Sequence, residues 1–251
     1  MVQSAPILYG GYNMILWFAA SFISFFIKGL CGFANTLVFT SILSFGAANI
    51  EITPVNLLLG YPSNLIMALR GRKMLRPRLV LPLGGLLIAG DLVGALLLKN
   101  VDVGAVRVIF GVMVTGLALQ MLIRHFWPAR KKDSSLVTVL IALFSGISCG
   151  LFGVAAMLVA CVSRATDSTE SMKANFSATC AMDNSFRLIL YIVMGIMTLS
   201  SLKTAAIQLP VALAGLYGGI LCSGRLREDY VRILTILLLL ISGIVLIAQN
   251  L

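Results

Sequence analysis

The sequence predicts an all-α polytopic membrane protein with eight to ten transmembrane segments in two homologous halves, inverted relative to each other, with broken or re-entrant helices. Three observations lead to this fold class. Of the 251 residues, 59% are hydrophobic and 11% are charged, whereas a soluble domain carries about 25% charged residues. Long apolar runs alternate with short basic loops. A short glycine motif occurs once in each half of the chain.

The apolar runs follow one another along the whole chain, and most approach the length of about 20 residues that a helix needs to cross a bilayer. Two regions allow two interpretations. Residues 12–47 form one long bent helix or two spans broken near Gly29, and residues 136–162 form one span or two short ones broken near Gly150. The runs cover residues 12–27, 29–47, 53–69, 79–98, 103–123, 136–149, 150–162, 174–196, 204–223 and 230–248.

The glycine motif indicates an internal duplication. Residues 29–38 read GLCGFANTLV and residues 150–159 read GLFGVAAMLV, with six of ten positions identical. Asn64 and then Pro82 follow the first copy, as Asn184 and then Pro210 follow the second. We therefore expect a first transmembrane repeat at 1–126, a basic cytoplasmic linker at 127–135 and a second repeat at 136–251.

Loop charges indicate how the two repeats are oriented. With ten crossings, the loops on one side hold fourteen Lys and Arg residues and those on the other side hold three; with eight crossings the counts are ten and seven. Cytoplasmic loops are enriched in Lys and Arg, so this count favours ten crossings. Five crossings in each half make the halves inverted. Segments 136–149 and 150–162 are too short to span and would be half-length or re-entrant helices, which mark binding sites in transporters.

Composition and motifs also exclude several classes of function. The net charge of +10 comes from loop clusters and not from a basic face, so we expect no nucleic-acid partner. One histidine and scattered cysteines give no metal site. The sequence has no nucleotide-binding loop and no catalytic elbow. We expect no cofactor, no catalytic residues and no ATP-driven pump.

The duplicated Gly-Leu-x-Gly element, the short length, the two halves and the basic central loop together resemble the sulfite exporter TauE/SafE family, also called the 4-toluene sulfonate uptake permease family. The resemblance covers essentially the whole chain. It implies transport of sulfite, sulfonates or related small organic anions across the cell inner membrane. This chain has Phe33-Ala34-Asn35 and Val154-Ala155-Ala156 where members of the family often carry three glycines.

Candidate substrate ligands surround the duplicated element. The glycines either let helices pack closely or break helices and present free N–H groups that attract an anion. Asn35 and Thr36 follow the first break and are suited to donate hydrogen bonds to an oxyanion, and Asn64 and Asn184 occupy matching positions in the two halves. The glycines in question are Gly29, Gly32, Gly150 and Gly153.

Four charged residues lie in apolar segments outside the loops assigned above, where a charge indicates function by default: Lys28, Asp91, Asp183 and Arg187. Lys28 precedes the first glycine and either binds substrate or extends to the membrane interface. Asp183 and Arg187, four residues apart on one helix face, form a structural pair, or Arg187 contacts the anion while Asp183 tunes it. Asp91 pairs with Lys28 or Arg187, or carries a coupling proton.

These observations predict a secondary transporter or facilitator that exports a small anion, embedded in the lipid bilayer of the inner membrane as a multi-pass protein. The alternative is a membrane-embedded scaffold or enzyme without transport activity. The residues leave open the exact substrate, import versus export, the coupling ion and the oligomeric state, and a homo-oligomer is compatible with them.

The ten-crossing topology predicts both termini outside and loops 70–78, 124–132 and 225–232 in the cytoplasm. A cysteine placed at Lys203, in a variant without other cysteines, should react with a membrane-impermeant reagent added from outside. Cysteines in those three loops should not react. Labelling at position 203 only from the inside would contradict this topology.

Overall fold

The computed structural model describes residues 11–43, 49–97, 135–153, 155–225 and 228–248, with residues 111–112, 115–116, 118–119 and 122–123. These residues are almost all helical, and no β-strand occurs among them. Most of the expected linker at 127–135 lies outside the described residues. The helices are α1 (Gly11–Cys31), α2 (Asn35–Leu43), α3 (Asn49–Arg70), α4 (Pro77–Leu97), α5 (Ser135–Phe152), α6 (Ala156–Ala165), α7 (Thr169–Val193), α8 (Leu199–Ser223) and α9 (Glu228–Ala248).

The distribution of polar and apolar side chains is the reverse of that in a soluble domain. Large apolar side chains such as Ile15, Ile189 and Leu221 are more than 60% exposed. Lys28, Asp91 and many hydroxyl and amide side chains are buried. Four windows in the described helices are long and apolar enough to cross a bilayer: Met14–Cys31, Ile52–Arg70, Pro77–Gly94 and Leu199–Ser223. The chain is therefore a multi-pass membrane protein.

Both copies of the glycine motif interrupt a helix. Helix α1 ends at Cys31 and α2 begins at Asn35, while α5 ends at Phe152 and α6 begins at Ala156. The second glycine of each motif lies in the interruption, with φ of +92° at Gly32 and +73° at Gly153. Because only glycine adopts such angles at little cost, these positions end the helices. The breaks therefore lie three residues beyond the expected positions, Gly29 and Gly150, which remain helical.

The first glycine of each motif, Gly29 or Gly150, lies within a helix at a point where that helix closely contacts another helix. A Cβ on Gly29 would stand 2.7 Å from the backbone N of Ile220 in α8, and one on Gly94 in α4 would stand 3.1 Å from the Cα of Gly150. Helices α1 and α8, and likewise α4 and α5, thus pack backbone to backbone through small residues, as membrane helices do.

The packing partners follow a regular pattern. Helix α1 packs on α8, and α5 packs on α4. Helix α3 packs on α7. In addition, α4 contacts α7, and α8 contacts α3. Exchanging α1–α4 with α5–α8 leaves these pairings unchanged. The segment around residues 111–123 packs on α9, where a Cβ on Gly243 would stand 2.9 Å from the backbone N of Thr115.

Two of the basic segments lie at the same end of the molecule. The backbone N–H of Arg76 donates to the Asn175 side chain at 2.7 Å, and its guanidinium donates to the Ala165 carbonyl at 2.6 Å and pairs with Asp167. Lys173 donates to the hydroxyl of Ser223, at the end of α8, at 2.5 Å. Segments 70–78 and 164–173 and the C-terminus of α8 are therefore neighbours.

The close packing of α4 on α5 predicts different effects for two glycines of the same helix. A Cβ on Gly90 would collide with the Leu143 carbonyl oxygen and stand 2.8 Å from the Cα of Gly146, whereas one on Gly85 would meet nothing within 4 Å. Gly90→Ala should cost about 1–3 kcal/mol through overpacking and lower the unfolding midpoint measured in detergent. Gly85→Ala should leave it unchanged or raise it, because alanine favours helix over glycine. Equal midpoints for the two variants would contradict this packing.

Candidate functional site

A small cavity of about 50 Å³ lies between the two helix breaks. A single water needs about 10–15 Å³ measured in this way, so the cavity accommodates about four waters or one small oxyanion. Helices α1, α2, α3, α5 and α7 and both breaks contribute to its wall. Its polar and charged lining side chains are Lys28, Asn35, Thr36, Thr53, Asn56, Asn64, Asp183, Asn184 and Arg187.

Two helix N-termini meet at this cavity. Asn35 and Thr36 begin α2, and Ala155 immediately precedes α6; all three line the cavity. The first N–H groups of a helix have no partner within the helix, and the helix dipole places about half a positive charge at that end. The cavity therefore receives positive potential from both halves of the chain.

Lys28 brings a basic side chain to the cavity. It lies in the last turn of α1, lines the cavity and is only 1% exposed. Its ammonium lies 5.7 Å from the centre of the Phe25 ring. Within the described part of the chain, no carboxylate lies within ion-pair distance of it. A buried charge without a counter-ion is costly, and an anion in the cavity would offset that cost.

Arg187 reaches the cavity already paired with two acids. Its Nε donates to Asp91 Oδ1 at 3.1 Å, its Nη2 donates to that same oxygen, and Nη2 also donates to Asp183 Oδ2 at 3.3 Å. The pairing of Asp183 with Arg187 was one of the two interpretations of their spacing, and Asp91 is bonded to Arg187 rather than to Lys28. A Cβ on Gly153 would stand 3.4 Å from the other terminal nitrogen, Nη1, so the guanidinium lies beside the second break.

Side-chain amides complete the wall. Asn56 donates to the Thr36 hydroxyl at 2.8 Å and accepts from Asn35 at 3.4 Å. Asn64 is buried, and its Oδ1 has no hydrogen-bond partner in the described structure. These groups hold the start of α2 in place and leave amide groups facing the cavity.

The expected site residues separate into two groups. Three glycines and Asp91 lie outside the cavity wall. Gly29 and Gly150 pack between helices, and Gly32 lies against the side chain of Lys173, whose Cγ would be 2.5 Å from an added Cβ. Asp91 does not line the cavity but bonds to Arg187, which does. The remaining candidates line the cavity together: Lys28, Asn35, Thr36, Asn64, Gly153, Asp183, Asn184 and Arg187.

Sequence reasoning missed Asn56 and Thr53, which also line the cavity. Asn56 is an amide inside an apolar run and carries the same signal as Asn64, but it has no counterpart in the second half that would single it out. Its role depends on the contact with Thr36, twenty residues away along the chain.

The cluster beside the cavity does not resemble a metal centre. Asp91, Cys149 and Asp183 bring their ligand atoms within 4.8 Å of one another. The guanidinium of Arg187 binds both carboxylates, so a cation already neutralises this set. A divalent ion placed there would be repelled by the arginine.

The comparisons with known proteins identify the family of this chain. A family model for the sulfite exporter TauE/SafE matches residues 17–246, nearly the whole chain. A search of curated proteins and a search of solved structures each gave no match. The match includes both helix breaks, Lys28 and the Arg187 cluster. On that match, the chain belongs to the sulfite exporter TauE/SafE family of membrane transporters.

Proposed function

We propose that this protein exports a small oxyanion (sulfite, a sulfonate or a related organic anion) across the inner membrane, and that the anion binds in the cavity between the two helix breaks. The observation that carries the proposal is the buried ammonium of Lys28, which faces the cavity without a carboxylate partner among the described residues. The two helix N-termini add positive potential at the same point. A cation would be repelled by this arrangement, whereas an oxyanion would accept several hydrogen bonds.

The proposal includes two inverted halves, each with a re-entrant pair of helices around its break. Helices α2 and α6 have nine and ten residues, or about 15 Å, against a hydrocarbon core of about 30 Å. Three features support the inverted arrangement. Each half has a break at the matching glycine, and the helix–helix contacts are the same when the two halves are exchanged. Segments 70–78 and 164–173 lie at the same end of the molecule. Interrupted backbone is tolerated at such depth where it lines a cavity.

A second, wider cavity of about 430 Å³ supports the export direction. It opens at the end of the molecule that carries segments 70–78 and 164–173, and its wall includes two basic residues, Arg70 and Lys173, and one acid, Glu170. Gly29 lines this wide cavity, while its neighbour Lys28 lines the small one, so the end of α1 separates the two. A basic vestibule on the cytoplasmic side would concentrate anions there. The inside-negative potential then favours their exit by about 2.3 kcal/mol per charge per 100 mV.

The anion proposal predicts that Lys28→Met weakens sulfite binding about tenfold to a hundredfold, because a charge-assisted hydrogen bond is worth roughly 1.5–3 kcal/mol. The dissociation constant of purified protein, measured by calorimetry, and sulfite flux in proteoliposomes are the two readouts. Lys203→Met is the matched control, since it removes the same charge from an exposed position on α8.

The control variant should bind sulfite as the unmodified protein does. A folded Lys28→Met variant with unchanged affinity would exclude the ammonium as a ligand. Failure of the unmodified protein to bind or move sulfite and sulfonates alike would contradict the proposed function itself and favour a scaffold.

A further inference from the structure

Two carboxylates beside the anion cavity share one guanidinium. Asp91 on α4 and Asp183 on α7 both bond to Arg187, and all three side chains are no more than 3% exposed. With both acids ionised, this buried cluster carries a net charge of −1. It would then place a negative charge at the wall of the cavity that we propose for an anion.

Hydrogen bonding distinguishes the two acids. Asp91 Oδ1 accepts two charge-assisted hydrogen bonds, from Nε and Nη2 of Arg187. Asp183 accepts one longer bond from Arg187, at 3.3 Å, and a thiol contact from Cys149 at 3.4 Å. The second oxygen of each acid, Asp183 Oδ1 and Asp91 Oδ2, is buried without a partner among the described residues. Asp183 lines the cavity, whereas Asp91 does not. Asp183 is therefore the acid that is both poorly compensated and next to the ligand.

Other ionisable groups near Asp183 do not supply the missing positive charge. Cys149 on α5, Cys180 and Tyr191 on α7 interact electrostatically with the cluster, and all three are neutral side chains at ordinary pH. Tyr61 on α3 accepts a hydrogen bond from Ser185 and supplies no cation. Lys28 lines the same cavity from α1 and is the charge assigned to the anion. Two carboxylates so close together in an apolar interior do not both ionise at low cost.

We propose that Asp183 carries a proton that binds together with the transported anion, so that each transport cycle moves one proton with it. The inference rests on the proposed anion transport. Protonation changes the net charge of the Asp91–Asp183–Arg187 cluster from −1 to zero, which removes the repulsion felt by an anion in the cavity. By linkage, a bound anion strengthens proton binding by the same factor.

The proton is taken up from water on one side of the membrane and released to water on the other. An O–H bond forms on the Asp183 carboxyl with a proton taken from water on the side where the anion enters. That bond breaks on the other side, and the proton returns to water after the anion leaves. A divalent anion exported with one proton still carries one net negative charge outwards, so the membrane potential continues to favour its exit.

The test uses methanesulfonate, whose charge does not change with pH, and the purified full chain. Calorimetry gives the affinity for methanesulfonate as the pH is raised from 5.5 to 8.5. For the unmodified protein this affinity should fall by up to about tenfold per pH unit over part of the range, as expected for linkage to one proton. Asp183→Asn should bind with the affinity that the unmodified protein has at low pH, and this affinity should not vary with pH. Asp183→Glu keeps an ionisable carboxyl and should retain the pH dependence.

Asp167→Asn is the matched control, because Asp167 forms an exposed ion pair with Arg76 far from the cavity wall, and it should retain the pH dependence. In proteoliposomes, an inward methanesulfonate gradient should acidify the interior with the unmodified protein and not with Asp183→Asn.

Binding that is insensitive to pH in the unmodified protein, or that requires Na⁺ instead, would overturn the proton inference and leave anion transport intact. A pH dependence that persists in Asp183→Asn would also overturn it. No binding at any pH would overturn both proposals.

Discussion

Unpaired backbone groups within a membrane constrain the rest of this structure. A helix interrupted in an apolar medium exposes N–H and C=O groups that cost several kcal/mol each unless something polar meets them. The part of the chain that the structure describes has two such interruptions, one between Cys31 and Asn35 and one between Phe152 and Ala156. Both face the same small cavity, and several buried amides and charged side chains line it. The polar interior, the paired breaks and the anion site that we propose are thus consequences of one requirement.

Glycine has two separate uses in meeting that requirement. Gly32 and Gly153 supply positive φ, which ends one helix and starts the next within three residues. Gly29 and Gly150, one helical turn earlier, instead let α1 approach α8 and α5 approach α4 at backbone distance. Close packing fixes the helices that lead into each break, and the breaks then place the starts of α2 and α6 at the cavity.

The sequence predicted the parts of this arrangement that depend on local pattern. The repeated Gly-Leu-x-Gly element indicated two interruptions, and Lys28, Asn35 and Thr36 stood out because they are polar residues next to a break in an apolar run. The spacing of Asp183 and Arg187 placed them on one helix face. These inferences need only helix periodicity and the cost of burying a polar group.

Other features depend on contacts that are distant along the chain. The break lies at the second glycine because the first is held in a helix against α8, which is nearly two hundred residues away. Asp91 had two possible partners, and only the packing of α4 on α7 brings it to Arg187. Asn56 is an amide in an apolar run, as Asn64 is, but its contact with Thr36 requires α3 to fold back on α2. Sequence patterns do not specify such tertiary pairings.

The central claim, that an oxyanion binds where the two breaks meet, is tested most directly by locating a heavy analogue of the substrate. Selenite has the pyramidal shape of sulfite, and its selenium is found by anomalous X-ray scattering in crystals of the protein. The account predicts one strong peak whose oxygens lie about 3 Å from the Lys28 ammonium and from the first N–H groups of α2 or α6. A peak confined to the basic vestibule beside Arg70 and Lys173, with none in the cavity, would contradict it.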